Sequence, residues 1–182
     1  GTMLNSRDLL KALGTKNNYS ATSVDQLPHH FASWAMLGHP FLIPIPDIDR
    51  TEYFLILGAN PLASNGSLMT APDIINRLNA IKQRGGKVVL IDPRRTETTR
   101  VADEHFFITP SSDAFLLFAM VHTLFNEGLV DLGRLSDLAN GVETLKSVSL
   151  DFSPEKAEEV TGVQAAEIVR LTREFAAAGS AV

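Results

Sequence analysis

The chain has 182 residues, 45% of them hydrophobic and 20% charged, which is the balance of a globular domain with a sizeable core. Sixteen basic against twenty-one acidic residues give a net charge of −5, leaving no general basic field for a nucleic-acid partner. No apolar run reaches the roughly 18–20 residues of a membrane span. With no cysteine, disulfides, thiolate zinc sites and cysteine-held clusters within these residues are excluded, so any metal here takes oxygen or imidazole ligands. At the N-terminus, Leu4, Leu9, Leu10 and Leu13 form a helical pattern that follows Gly1-Thr2-Met3 almost without lead-in. Both ends read as internal boundaries of a larger polypeptide, because Gly179 stops a strong helix and Ser180-Ala181-Val182 then reads as the start of a strand.

Tyr53-Phe54-Leu55-Ile56-Leu57 is a short, continuously apolar run ended by Gly58, the pattern of a strand buried on both faces. A small, polar loop, 59–67, follows. Thr70 and Asp73 form a capping-box-like entry to a helix through about Arg84, with Ile74, Ile75, Leu78 and Ile81 as its buried stripe. Gly85-Gly86 stops that helix, and Lys87-Val88-Val89-Leu90-Ile91 is a second buried strand, closed by Asp92-Pro93. Strand, helix and strand in this order predict two parallel strands joined by a crossover. A third strand is expected at 105–108. A very apolar helix over 113–126 comes next, capped by Ser111 or Ser112, and it needs either deep packing or cover from further chain. Beyond Gly128 the pattern predicts helices at about 133–139, after Ser153-Pro154, and over 164–178, flanking the sheet. The fold class expected is therefore α/β, a Rossmann-like parallel sheet flanked by helices, as part of a larger multidomain enzyme.

In open parallel sheets, ligands bind outside the carboxyl ends of the strands, and three loops fall there. The first, from Gly58 to Gly66, offers Gly58 for close backbone approach, with Asn60 and Ser64 as neutral hydrogen-bonding side chains beside Pro61. The second offers Asp92 as an acceptor for ribose hydroxyls or a base edge, then Pro93 and the anion partners Arg94 and Arg95. The third places Asp113 at a helix start, where its carboxylate suits the amidine-like edge of guanine. Together they suggest a nucleotide-containing ligand. Read singly, each is more simply an ordinary turn, strand stop or helix-end charge, and it is their gathering on one edge that raises the ligand reading to equal standing. Neither a G-x-G-x-x-G nor a phosphate-loop motif is present, which disfavours a simple dehydrogenase or a kinase. His29 and His30 are adjacent and diverge, and no paired histidines with a glutamate base occur, so a zinc hydrolase is disfavoured too.

These residues carry a resemblance. Leu55-Ile56-Leu57-Gly58-Ala59-Asn60-Pro61, then 85–94 from Gly85 to Arg94, then Ala102-Asp103-Glu104-His105, and then Pro110-Ser111-Ser112-Asp113-Ala114 resemble the molybdopterin oxidoreductase family of the dimethyl sulfoxide reductase type. Residues 162–176 are similar to a family helix that precedes another strand.

The resemblance implies a bis(molybdopterin guanine dinucleotide) cofactor with molybdenum. On this reading Gly58, Asn60, Pro61 and Ser64 lie by phosphate and nucleotide, Asp92, Pro93 and Arg94 face the nucleoside, and Ser112 and Asp113 recognise guanine. Ser111-Ser112 replaces the commoner Gly-Thr of the third motif, which keeps a hydroxyl but loses the glycine. Upstream, where many relatives carry a molybdenum ligand, counting along the chain brings Asp25 or its neighbour; Asp25, a hard oxygen donor, is the candidate catalytic and metal residue, with a helix cap or salt-bridge partner as the alternative role.

The implied organisation is a segment near the molybdenum funnel at 1–50, a guanine-dinucleotide-binding core at 51–127 and a helical flank at 128–182. The implied activity, in the full-length protein, is two-electron redox of a small-molecule substrate. A [4Fe–4S] cluster would lie outside these residues, and the partners are the remaining domains of the parent polypeptide and electron-transfer subunits, with no nucleic acid and no membrane span. The alternative is a scaffold or electron-transfer subunit with the same fold and no molybdenum. Residues 1–182 alone are expected to be inactive, and a cytoplasmic location is expected ahead of a periplasmic one.

Overall fold

A computed structural model describes residues 2–17 and 19–182. The chain divides into two compact units, one ending at Ile45 and the other running from Pro46 to Val182. Among the described residues the first holds the α-helices α1 (Thr2–Ala12) and α2 (Leu27–Leu37). Pro28 lies in the first turn of α2, where a missing N–H costs nothing, and Gly38 closes the helix in the left-handed conformation with φ 80°. His30 Nδ1 donates to the Pro40 carbonyl at 2.8 Å, folding the following turn back on α2.

The second unit is built on a parallel sheet of β1 (Tyr53–Leu57), β2 (Lys87–Ile91) and β3 (Glu104–Phe106), in that spatial order. Tyr53 pairs with Lys87 and Leu57 with Ile91, while Val89 pairs with Glu104 and Ile91 with Phe106. The two strands expected over 53–57 and 87–91 are found at those bounds. The third begins one residue earlier than expected and ends at Phe106. On the other edge of β1, Tyr53 bridges Ala181 in parallel. Leu55 N–H donates to the Val182 carbonyl at 2.7 Å and Val182 N–H to the Tyr53 carbonyl at 2.9 Å. The segment 180–182 therefore occupies a fourth strand position, as its sequence suggested.

Strand periodicity divides the core between two faces. Phe54, Ile56, Val88 and Leu90 point to the face covered by α4 (Ile74–Gln83), which supplies Ile74, Leu78 and Ile81. Ile75, expected in that stripe, is 46% exposed because it lies a residue off the 74–78–81 line. Tyr53, Val89 and Ile91 point to the opposite face, covered by α5 (Asp113–Asn126), α7 (Pro154–Thr161) and α8 (Ala165–Ala177). Each fully buried Leu or Ile of these layers stabilises the unit by roughly 2 kcal/mol.

Three helices were not legible in the sequence: α2, α3 (Pro61–Ser64), inside the loop after β1, and α6 (Val142–Ser149), which packs on α5. At 133–139 the chain makes only a short 3-10 turn, Gly133–Leu135. The capping box expected before α4 is also absent. Asp73 sits at the N-cap position with φ 56°, and its carboxylate accepts from the Asn76 side chain instead of a backbone N–H.

The amino edge of the sheet is tied by charge. Lys87 pairs with Glu104 and with Glu174 (2.7 Å), and Arg170 reaches Glu104, Glu167 and Glu174 at 2.5–2.6 Å. Tyr53 Oη donates to Glu174 at 3.3 Å. The first residues of all three strands are thereby clamped to α8.

Candidate functional site

Because the strands are parallel, their carboxyl ends open on one edge, and the three loops singled out in the sequence all leave from it. The first starts at Gly58, whose φ of 60° needs glycine although a Cβ there would meet nothing. Its N–H donates to the Ile91 carbonyl at 2.9 Å, so the loop departs where β2 ends. Pro61 is buried, with no polar group to offer beyond its carbonyl, which accepts from Asn65 N–H at 2.8 Å. It lines an apolar recess of about 210 Å³ with Phe54, Ile56, Met69 and Val182. Ser64 is exposed and its hydroxyl serves its own loop, donating to the Asn60 carbonyl (3.3 Å) and accepting from Gly66 N–H (3.2 Å).

Asn60 joins the first loop to the second. Its side-chain amide donates to Glu97 Oε2 at 2.6 Å, and its Oδ1 accepts from the Thr98 hydroxyl at 2.8 Å. Thr98 is fully buried, and its hydroxyl oxygen also accepts from Leu62 N–H at 3.3 Å. Glu97 and Thr98 belong to the 3-10 turn Glu97–Arg100 between β2 and β3. The Glu97 carboxyl is held below the usual carboxylate range, first by its own backbone N–H, then by the Asn60 amide and by Arg94 and Arg100.

The second loop begins with Asp92, which is 5% exposed. Its Oδ1 accepts from Arg94 N–H at 2.8 Å, a turn that also leaves Pro93 exposed. Its carbonyl accepts from His105 Nε2 at 3.2 Å, and since a carbonyl can only accept, that nitrogen carries the proton. Arg94, Arg95, Thr96, Glu97 and Arg100 line a shallow polar recess of about 350 Å³. Thr96 is 7% exposed and its hydroxyl has no hydrogen-bond partner, which is costly for a buried polar atom.

In the third loop Ser111 has φ 69°, the left-handed conformation that a glycine adopts without strain. Ser112 stands at the N-cap of α5 but does not cap it. Its buried hydroxyl donates to the Thr109 carbonyl at 2.6 Å, inside the loop. Asp113 is the first residue of α5 and is half-buried, and among the described residues no donor is bonded to its carboxylate. Asp25 is exposed in the first unit, its N–H donating to the Ala21 carbonyl at 2.9 Å. Among the described residues no three His, Asp or Glu side chains are grouped as a metal site.

The structure thus brings Gly58, Asn60, Ser64, Asp92, Arg94 and Asp113 to one edge. It also adds Thr96, Glu97, Thr98 and Arg100 to the site. Sequence inspection passed over the last three, since a polar run between two strands does not show which side chains turn inward.

The molybdopterin oxidoreductase pattern matches residues 1–151. The chain belongs to the molybdopterin oxidoreductase family. Formate dehydrogenase H of Escherichia coli (strain K12) is 34% identical over 137 residues, covering 75% of this chain and 18% of that protein. The molybdopterin-containing subunit of the arsenate respiratory reductase of Chrysiogenes arsenatis is 30% identical, covering 96% of this chain and 23% of that protein. The solved acetylene hydratase from Pelobacter acetylenicus superposes with a TM-score of 0.64 at 28% identity, over 75% of this chain and 18% of that one. The chain therefore spans about a fifth of the length of the relatives it matches. Among the described residues no helix is long and apolar enough to cross a membrane.

Proposed function

We propose that this chain is the part of a molybdenum-dependent oxidoreductase that holds one guanine dinucleotide arm of a bis(molybdopterin guanine dinucleotide) cofactor, in a Rossmann-like arrangement at the carboxyl edge of the sheet. The supporting observation is that polar groups with capacity to spare lie on that one edge: the Asp113 carboxylate and the buried Thr96 hydroxyl, which have no hydrogen-bond partner among the described residues, and the guanidinium groups of Arg94, Arg95 and Arg100, none of which is in an ion pair among the described residues, Arg100 donating only through Nε to the Glu97 carbonyl at 3.3 Å. Donors suited to phosphate and an acceptor suited to guanine are what such a ligand requires.

In this reading Gly58 and the Asn60–Ser64 loop, seated on buried Pro61, run beside phosphate. Asp92 accepts from the nucleoside, Pro93 turns the chain, and Arg94 faces the phosphates. Asp113 accepts from the N1–H and exocyclic amine of guanine, while Ser112 holds the loop in shape through Thr109. Asp25 supplies a carboxylate oxygen to molybdenum. The metal centre, once bound, carries the two-electron chemistry of a small substrate. The protein's share is binding and orientation. A [4Fe–4S] cluster and electron-transfer subunits belong to the longer protein in this reading, and residues 1–182 alone show no turnover.

The test is metal and nucleotide analysis of the protein purified from its source cells. Molybdenum together with acid-released GMP is expected, with both reduced by D113N and molybdenum retention reduced by D25A. A well-folded preparation holding neither molybdenum nor guanine nucleotide overturns the reading in favour of a scaffold subunit.

A further inference from the structure

The recess between Arg94 and Arg100 already contains an anion, and that anion belongs to the protein. Three arginines against one glutamate give residues 94–100 two surplus positive charges in a chain of net charge −5. Glu97 is exposed, yet its carboxylate is held by its own backbone N–H and by the Asn60 amide at 2.6 Å, beside these guanidiniums. The Asn60 amide is a side-chain donor of the first loop at this edge, and Glu97 occupies one of its N–H groups. The buried Thr96 hydroxyl in the wall of the same recess is left with no partner, an unmet bond at the same place.

We infer that Glu97 is a displaceable anionic stand-in: its carboxylate holds the Asn60 amide and the surrounding arginines in a binding-competent arrangement, and it swings out when a phosphate of the ligand takes its place. The inference rests on the dinucleotide reading above and adds a gate to that site. Thr98 makes the exchange cheap in structure. Its hydroxyl keeps Asn60 Oδ1 and Leu62 N–H anchored whichever anion the amide end of Asn60 bonds. The consequence is self-competition: the carboxylate preorganises the site and lowers its affinity for phosphate.

The experiment is calorimetric titration of the 182-residue chain with inorganic pyrophosphate and with GDP, for the wild type and for E97A and E97Q. Glu97 is exposed, so both variants fold. The side-chain amide resonances of Asn60 are followed by NMR in the same titrations. The expected result is that E97A binds pyrophosphate at least about fivefold more tightly than the wild type. The Asn60 amide signals of the wild type should also move on saturation to the position they reach in saturated E97A. Electrostatic relief alone would tighten binding while leaving the wild-type Asn60 amide on Glu97, and unmoved resonances at saturation overturn the inference. So does unchanged or weaker binding by E97A, or no pyrophosphate binding by either protein. The dinucleotide reading fails separately, if GDP binds no more tightly than pyrophosphate and D113N leaves GDP affinity unchanged.

Discussion

Ser111 carries a conformation that its side chain resists. A φ of 69° costs a residue with a Cβ about 1 kcal/mol relative to glycine, and the position is exposed. Ser111→Gly is expected to stabilise the chain by up to about 1 kcal/mol, read as a higher urea midpoint with an unchanged slope. An equal or lower midpoint would show that the strain is relieved elsewhere. Thr98 is the opposite case, a buried hydroxyl using both its donor and its acceptor capacity. Thr98→Val keeps the volume but leaves Asn60 Oδ1 and Leu62 N–H without their partner. A loss of about 1–3 kcal/mol is expected, together with faster exchange of the Leu62 amide. The sequence marked Asn60 as a ligand-facing residue, but could not show that both ends of its amide group are engaged by the turn after β2. Those partners lie 37 and 38 positions away, and only the β1–β2 pairing brings them near.

At the scale of elements, the clamp at the amino edge sets a pH window. Burial pushes Glu104 and Glu174 up, but hydrogen bonds and charge from Arg170 and Lys87 outweigh it and hold both below the usual carboxylate range. A carboxyl with a lowered folded pKa stabilises above its unfolded value of about 4.3, and that contribution is lost as pH falls through the folded value. Tyr53 moves the other way, raised first by burial and then by Glu174, so it stays neutral in the fold while the unfolded chain ionises above about pH 10. Lys87 is also raised, because its pairing with Glu104 and Glu174 outweighs its burial, and its contribution likewise fades as pH rises through the folded value. The clamp's contribution to stability is therefore expected to be flat between about pH 5 and 10 and to fall outside both limits. A thermal-unfolding series across pH checks this, and a midpoint still rising below pH 4 would contradict it. The partners are about a third exposed, so Arg170→Met is expected to cost about 1–2 kcal/mol, between the surface and the buried extremes. Lys87→Met and Arg170→Met share Glu104 and Glu174, so a double-mutant cycle is expected to show non-additivity.

For the whole molecule, the sheet order places β2 at the centre of the second unit. Val88 to Ile91 are wholly buried between the two helical layers, and β2 is paired on both sides. Hydrogen exchange is therefore expected to be slowest at the amides of residues 88–91 and faster in β3, which is three residues long and pairs on one edge. Removing residues 180–182 would deprive Tyr53 and Leu55 of their carbonyl acceptors, and their amides are expected to exchange at least about tenfold faster while those of β2 change little. Equal acceleration throughout the sheet would mean that this short segment supports the entire unit. On the outer side, Phe118 stacks on Phe152 with ring centroids 4.7 Å apart, and Phe115 meets the same ring edge-on at 5.5 Å. These contacts account for part of the apolar surface of α5 that its sequence said must be covered. Leu117 of the same helix stays 44% exposed.

By itself the sequence determined β1, β2 and α5, because continuous apolar runs bounded by Gly, Pro or Asp leave little freedom of assignment. Through its four ordered motifs it also determined the family, and it marked the sheet edge on which the polar residues gather. It did not determine α2, α3, α6 or the missing capping box, where weak local propensities yield to packing on neighbouring elements. Only the tertiary structure decided which polar groups are satisfied and which are not. Ser112 and Asn60 are held by protein partners, whereas among the described residues the Asp113 carboxylate and the Thr96 hydroxyl have no hydrogen-bond partner and the three arginines have no ion pair. The physical reason is that hydrogen bonds between loops depend on strand register and order. These are set by burial of both sheet faces at once, a condition that no local stretch of sequence contains.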